Sequence, residues 1–132
     1  YNVLMKKILS DLEVSQFNPL SLASVGDAVH TLFVRETLFE RDLPPNKLHL
    51  LASKFCRAKN QSLAYEKILG SLSDLEREIA TRARNHKGHA PKNSSLEEYK
   101  KATAFEAIVG YLYVTGKSER LEEILKCSLE EE

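Results

Sequence analysis

The chain has 132 residues, 42% hydrophobic and 29% charged, with 19 basic side chains against 19 acidic ones. That size suits one hydrophobic core, so residues 1–132 are expected to form a single domain, and the ordinary composition excludes a disordered or low-complexity chain. No apolar run approaches the roughly 18 residues that span a bilayer, so no membrane is expected.

The opening YNVLMKKILSDLE meets Asp11 and Glu13 early and shows no small-residue cleavage site, which reads as a cytoplasmic rather than a secreted chain. Residues 3–12 read as a short first helix with Val3, Leu4, Ile8 and Leu12 inward, and 15–18 as a turn. Asn18 can cap and Pro19 can open a long helix over 20–40. Leu22, Val25, Val29, Leu32, Phe33 and Phe39 have helical spacing there. Between 20 and 34 the one Asp, Glu, Lys or Arg is Asp27, and Gly26 stands directly before it. A mid-helix glycine costs about 1 kcal/mol relative to alanine, so close approach of another backbone is expected. The small residues Ala23, Gly26 and Ala28 would permit close helix approach, and the Gly26 helix is expected at or near a subunit contact.

Pro44 and Pro45 end the long helix. A third helix follows over 46–57, with Leu48, Leu51, Ala52 and Phe55 on one stripe. Residues 61–69 continue it or form a separate helix on Leu63, Ala64, Ile68 and Leu69, ended by Gly70. Ser73-Asp74-Leu75-Glu76 is a capping box that starts a helix running to about Asn85, with Leu75, Ile79 and Ala83 inward. The polar loop HKGHAPKNSS comes next. Its His86 and His89 lack further Cys or His neighbours, so they form a poor zinc site. Ser95-Leu96-Glu97-Glu98 is a second capping box, opening a helix to about Thr115. Over 102–114 that helix is apolar nearly all round, with Glu106 its single charge and Gly110 inside it. Gly116 breaks it, and 118–129 forms the last helix. No stretch alternates with period two, so the fold class is all-α. Cys56 and Cys127 match no CxxC pattern and are expected as reduced core thiols.

Two buried-looking helices thus carry one acid each. Brought together in a core, Asp27 and Glu106 would repel, and one would stay protonated. A hard divalent cation such as Mg²⁺, which takes carboxylate and water oxygens, removes that conflict. Alternatively each acid pairs with a core Arg or His, or caps backbone. The charges are also segregated. Residues 43–65 hold Lys47, Lys54, Arg57 and Lys59 without an acid, and 79–96 hold Arg82, Arg84, Lys87 and Lys92 without an acid. One such segment reads as a solvated face; two favour a polyanion partner.

The segment 22–29, LASVGDAV, resembles the first catalytic motif of the ribonuclease III domain, whose heart is an apolar residue, Gly, Asp and Ala. The segment 103–110, TAFEAIVG, resembles the second, Phe-Glu-Ala-apolar-apolar-Gly. Residues 45–49, 82–85 and 91–93 resemble segments of the short Mini-ribonuclease III branch, which lacks a double-stranded-RNA-binding domain. The resemblance implies a Mg²⁺-dependent endonuclease, with Mn²⁺ as a substitute, cutting double-stranded RNA to leave 5′-phosphate and 3′-hydroxyl ends. It implies a homodimer, a precursor of large-subunit (23S) ribosomal RNA as substrate, and a ribosomal protein or pre-ribosome as a further partner. It makes Asp27 and Glu106 the catalytic and metal-binding residues. With a duplex as substrate, Arg82, Arg84, Lys87 and Lys92 are expected along one RNA-facing edge beside Asn85 and Asn93, and Lys47, Lys54, Arg57 and Lys59 as a second RNA contact. The chain departs from the wider family at Ala23 and Thr103, where two further acids would fall, which implies reduced metal binding. The same departure supports a rival reading, a non-catalytic RNA-binding or ribosome-associated helical dimer with a decayed metal site.

Overall fold

The computed structural model describes residues 7–86 and 95–130. Within them run seven α-helices: α1 (Asp11–Ser15), α2 (Pro19–Phe39), α3 (Pro45–Cys56), α4 (Ala58–Ile68), α5 (Asp74–Arg84), α6 (Leu96–Val114) and α7 (Ser118–Cys127). A single 3-10 turn, Leu69–Ser71, links α4 to α5, and no strand occurs among the described residues. None of these helices is long and apolar enough to cross a membrane.

Local chemistry sets the helix ends. Ser10, Ser73 and Ser95 each close a capping box, with Glu13, Glu76 and Glu98 reaching back to the cap backbone. The Asn18 side chain accepts from the Leu20 N–H at 2.8 Å, and Pro19 opens α2. Asp42 takes φ 52° in the turn before the proline pair. At Arg57 the backbone is extended (ψ 152°), so α3 and α4 are separate helices.

α6 is the central element and packs against α2, α4, α5 and α7. Ala104, Phe105, Ala107, Ile108, Val109 and Leu112 are fully enclosed, as an apolar helix walled on several sides must be. The closest wall is α2. A methyl group added at Gly26 would overlap the Glu106 carbonyl oxygen and lie 2.8 Å from the Gly110 nitrogen. A methyl group added at Gly110 would overlap the Leu22 carbonyl oxygen. The close approach expected at Gly26 is therefore made inside the chain, by α6. Gly26 is buried there, against the backbone of α6.

The first helix also needs correction. Among the described residues it spans Asp11–Ser15 and 7–10 are not helical; Ile8 is 59% exposed, Leu12 is 73% exposed, and Val14 is the residue turned inward, while Val3 and Leu4 lie outside the described residues. A sequence stripe cannot tell a short strap on the surface from a core helix. The strap is held by polar bonds instead. The Leu9 N–H donates to the Val114 carbonyl at 2.8 Å, and Asp11 accepts from the Tyr111 hydroxyl at 3.0 Å and the Lys117 ammonium at 2.8 Å. Phe39 is likewise 76% exposed rather than inward. Cys56 and Cys127 are free, as expected, and half-buried.

The glycine crossing makes a sharp forecast. Gly26→Ala and Gly110→Ala should each cost about 3 kcal/mol or more, because backbone must move on both helices. Melting should fall by on the order of 10 °C. Gly70→Ala, where an added methyl meets nothing within 4 Å, is the control and should melt close to wild type.

Candidate active site

The crossing that demands glycine also brings the two acids together. Asp27 follows Gly26 on α2, and Glu106 lies one turn before Gly110 on α6. Asp27 is exposed and Glu106 is half-buried beside it, so the pair sits at a surface notch rather than in the core. Burial pushes the Glu106 carboxyl up to about 8, and the hydrogen bond to Asp27 and the charge of Asp27 push the same way. The expected conflict between the acids is present, and it falls on Glu106, whose carboxyl holds its proton more tightly than a solvated one. No Lys or Arg ion pair reaches Glu106 among the described residues.

A hard divalent cation fits this donor set. Asp27 and Glu106 would hold it through carboxylate oxygens, and the exposed side of Asp27 would leave room for water. Among the described residues no group of three or more His, Cys, Asp or Glu is placed to hold an ion. Ala23 is buried, and the Thr103 hydroxyl donates to the Tyr99 carbonyl of its own helix at 2.9 Å. Neither adds a carboxylate.

Behind Glu106 lies a set of residues that sequence reading missed. The Gln61 amide donates to Glu106 Oε2 at 3.4 Å and faces His30 Nδ1 at 3.1 Å. His30 Nε2 meets Ser128 Oγ at 2.9 Å, and the Ser128 hydroxyl donates to the Leu125 carbonyl at 2.7 Å. Since the Ser128 proton is committed to Leu125, Ser128 accepts from His30, which places the imidazole proton on Nε2 and leaves a lone pair on Nδ1 for Gln61. His30 is wholly buried, which pushes its pKa down to about 4 and keeps the ring neutral. The one signal for it in the sequence was a polar residue on an otherwise apolar face of α2.

The basic residues divide. Lys54, Arg57 and Lys59 line one shallow pocket of about 200 Å³ with Asn60 and Leu63, and Lys47 is exposed on α3. Arg82 and Arg84 do not share an edge. Two residues apart on a helix, they point to roughly opposite sides. Arg82 donates to the Ser15 and Phe17 carbonyls at 3.2 and 2.9 Å, tying α5 to the turn after α1. Arg84 pairs with Glu97 at 3.3 Å. Asn85 and His86 are exposed at the end of α5. Lys87, His89, Lys92 and Asn93 lie outside the described residues.

The raised Glu106 carboxyl fixes a pH dependence. A carboxyl whose proton affinity is raised by folding stabilises the fold fully below its usual 4.5 and loses that contribution as pH rises to about 8. Melts in a chelator should show Glu106→Gln gaining on wild type across that window. By about pH 9 the gain should amount to at least about 1 kcal/mol. An unchanged gap from pH 5 to pH 9 would mean that folding does not raise the Glu106 carboxyl.

Comparison with known proteins agrees with this geometry. The family described as Ribonuclease III domain matches residues 20–117, which include both acids and both crossing glycines. A protein named Mini-ribonuclease 3 from Symbiobacterium thermophilum is 43% identical over 112 residues, covering 83% of this chain and 86% of its own length. A Thermoanaerobacter protein of the same name is 38% identical over 126 residues, covering 94% and 89%. A crystal structure of a Fusobacterium nucleatum protein superposes with a TM-score of 0.81 at 33% identity, over 86% of this chain and 93% of that one. With the family match over most of its length and relatives alike in sequence and fold, the chain belongs to the ribonuclease III family of endoribonucleases and groups there with the Mini-ribonuclease 3 proteins.

Proposed function

We propose that this chain cuts double-stranded RNA in a divalent-metal-dependent reaction at Asp27 and Glu106, in the maturation of a large-subunit ribosomal RNA precursor. The observation that carries the reading is the acid pair at the α2–α6 crossing, open to solvent at Asp27 and with no Lys or Arg paired to Glu106 among the described residues. Asp27 and Glu106 would hold the ion, Mg²⁺ or Mn²⁺. When bound, such an ion supplies Lewis acidity at the scissile phosphate and an acidified water. Glu106 gives up its proton on loading and Asp27 presents its carboxylate on the exposed side. The buried wall formed by α6 keeps solvent from the inner side of the pair. Cleavage leaves a 5′-phosphate and a 3′-hydroxyl.

Lys54, Arg57 and Lys59, with Lys47 further along α3, contact backbone phosphates, which give affinity and register without reading sequence. A duplex is recognised by its shape and 2′-hydroxyls, and needs no stacking platform. The protein works as a homodimer, each copy cutting one strand. The surface such pairing would cover is the apolar groove of about 470 Å³ between α2 and α3, lined by Leu32, Phe39, Pro45 and Leu48, of which Phe39 and Pro45 are exposed. This contact lies on α2, the helix that carries Gly26.

The deciding experiment incubates long duplex RNA with wild type, Asp27→Asn and Glu106→Gln, with and without Mg²⁺, while light scattering reports the mass in solution. Cutting by wild type with Mg²⁺ alone, its loss by at least about 100-fold in both variants, and a two-copy mass are expected. Cutting by either variant at wild-type rate removes the acid-pair reading; an active monomer removes the dimer. Absence of cutting by wild type would favour a binding module with a decayed site.

RNA contact is tested separately. Lys54→Ala, Arg57→Ala and Lys59→Ala should each weaken duplex binding similarly for different sequences and flatten its salt slope by about one unit. Arg82→Ala should instead lower the melting temperature and leave that slope unchanged.

A further inference from the structure

The acid pair has an inner support, and its members are unusual for a core. His30 is fully enclosed, edge-on at 5.3 Å and 77° to the ring of Phe105, the residue before Glu106. Gln61 is buried on α4, between His30 on α2 and Glu106 on α6. Apolar side chains of the same size would fill this space at lower cost, since each buried polar atom must find a partner. Here the atoms do find partners, and in one sense only. His30 Nδ1 offers a lone pair, so it requires an N–H from Gln61; the other N–H of the same amide then points at Glu106 Oε2. A flipped amide would set its oxygen against the imidazole lone pair and the carboxylate together. The tautomer itself is fixed from the far end of the chain by Ser128. Asn60 locks the same junction, donating to the Phe55 carbonyl at 2.7 Å and to the Ser128 carbonyl at 2.9 Å.

We propose that Gln61, oriented by His30, is a positioning residue that holds Glu106 Oε2 and leaves the other carboxylate oxygen aimed at the ion. Affinity for the divalent ion then depends on His30 and Ser128, which never touch it. A group that orients a ligand from behind is worth about 10–100-fold in metal affinity. The inference rests on the reading of Asp27 and Glu106 as the ion's holders.

The test measures Mn²⁺ binding by electron paramagnetic resonance without RNA, then kcat and KM on duplex RNA, for His30→Phe, Gln61→Leu and Ser128→Ala. His30→Phe and Gln61→Leu should bind Mn²⁺ about tenfold more weakly, and lower kcat while leaving KM for RNA unchanged. Ser128→Ala should shift both in the same direction by less, because the imidazole stays in place. His30→Gln, which restores an acceptor oxygen, should recover part of the loss. If His30→Phe fails to fold, Gln61→Leu and Ser128→Ala decide the matter. Folded variants with wild-type Mn²⁺ affinity overturn the proposal. Asp27→Asn and Glu106→Gln run alongside. If they lose Mn²⁺ while the other variants keep it, the positioning role alone falls; if they bind as wild type, the acid-pair reading falls and takes the positioning role with it.

Discussion

The contact between Gly26 and Gly110 governs the rest of the structure. Each glycine meets backbone of the opposite helix, Gly26 at the Glu106 carbonyl and Gly110 at the Leu22 carbonyl. Leu22 lies four residues before Gly26, and Glu106 four before Gly110, so each glycine is pressed against the hydrogen-bonded turn that ends at the other. Such an approach gives up side-chain packing at two positions and accepts the helix-propensity cost of two glycines. The return is geometric. With backbones this close, a side chain adjoining one glycine and a side chain one turn before the other must share a small space. Those side chains are Asp27 and Glu106. The acid pair is thus a consequence of how two helices cross, and a residue with a Cβ at either glycine would separate the acids before it altered any chemical group.

That constraint is visible in the sequence as two anomalies, a glycine inside each of two apolar helices and one carboxylate near each. The helix order is also visible, because proline and the serine capping boxes act locally and the structure places them where spacing puts them. Most of the facing is visible too: Leu22, Val29, Phe33, Ala52, Phe55, Ala64, Ile68, Ile79 and Ala83 are buried as their spacing implies. It fails at Leu12 and Phe39, which have core-like spacing but lie exposed, since a short surface strap and the last turn of a long helix have no neighbour to cover them among the described residues. Gly26 has the expected close contact, and it is spacing in three dimensions rather than in sequence that makes α6 the helix that supplies it. His30 is invisible for the opposite reason. Its partners stand 31 and 98 residues away in the chain, so nothing local marks it as anything but an interruption in an apolar face.

The basic residues give a similar lesson about charge. Counting Lys and Arg along α5 suggests a cationic edge, but the helix sends Arg82 to the carbonyls of Ser15 and Phe17 and Arg84 to Glu97. A guanidinium with a planar fork of donors is well suited to bind several backbone carbonyls, and here one serves as a tie between elements. Around the α3–α4 junction the extended backbone at Arg57 turns Lys54, Arg57 and Lys59 around one hollow, with the Lys54 ammonium 5.5 Å over the Phe55 ring. Position relative to a break in the helix, rather than number of charges, decides which cations gather on one surface.

The two inward-facing glutamates show the same division between structure and chemistry. The Glu76 side chain is 5% exposed, yet it accepts from Arg120 at 3.0 and 3.1 Å and from the Ser73 N–H at 3.0 Å. Its charge is fully compensated, and the pair clasps α5 to α7. A buried acid so matched is inert, because removing either partner leaves an unpaired charge and nothing is gained by exchange. Glu106 receives a neutral amide from Gln61 and a second acid from Asp27. It is oriented but not neutralised, and it keeps a proton that water-solvated glutamates lose. A site in that condition would gain free energy from a cation and would give up a proton to it, so ion binding and deprotonation would be coupled there. The fold supplies a complete set of partners to Glu76 and, among the described residues, no cation to Glu106, and that difference, rather than burial alone, separates the two acids.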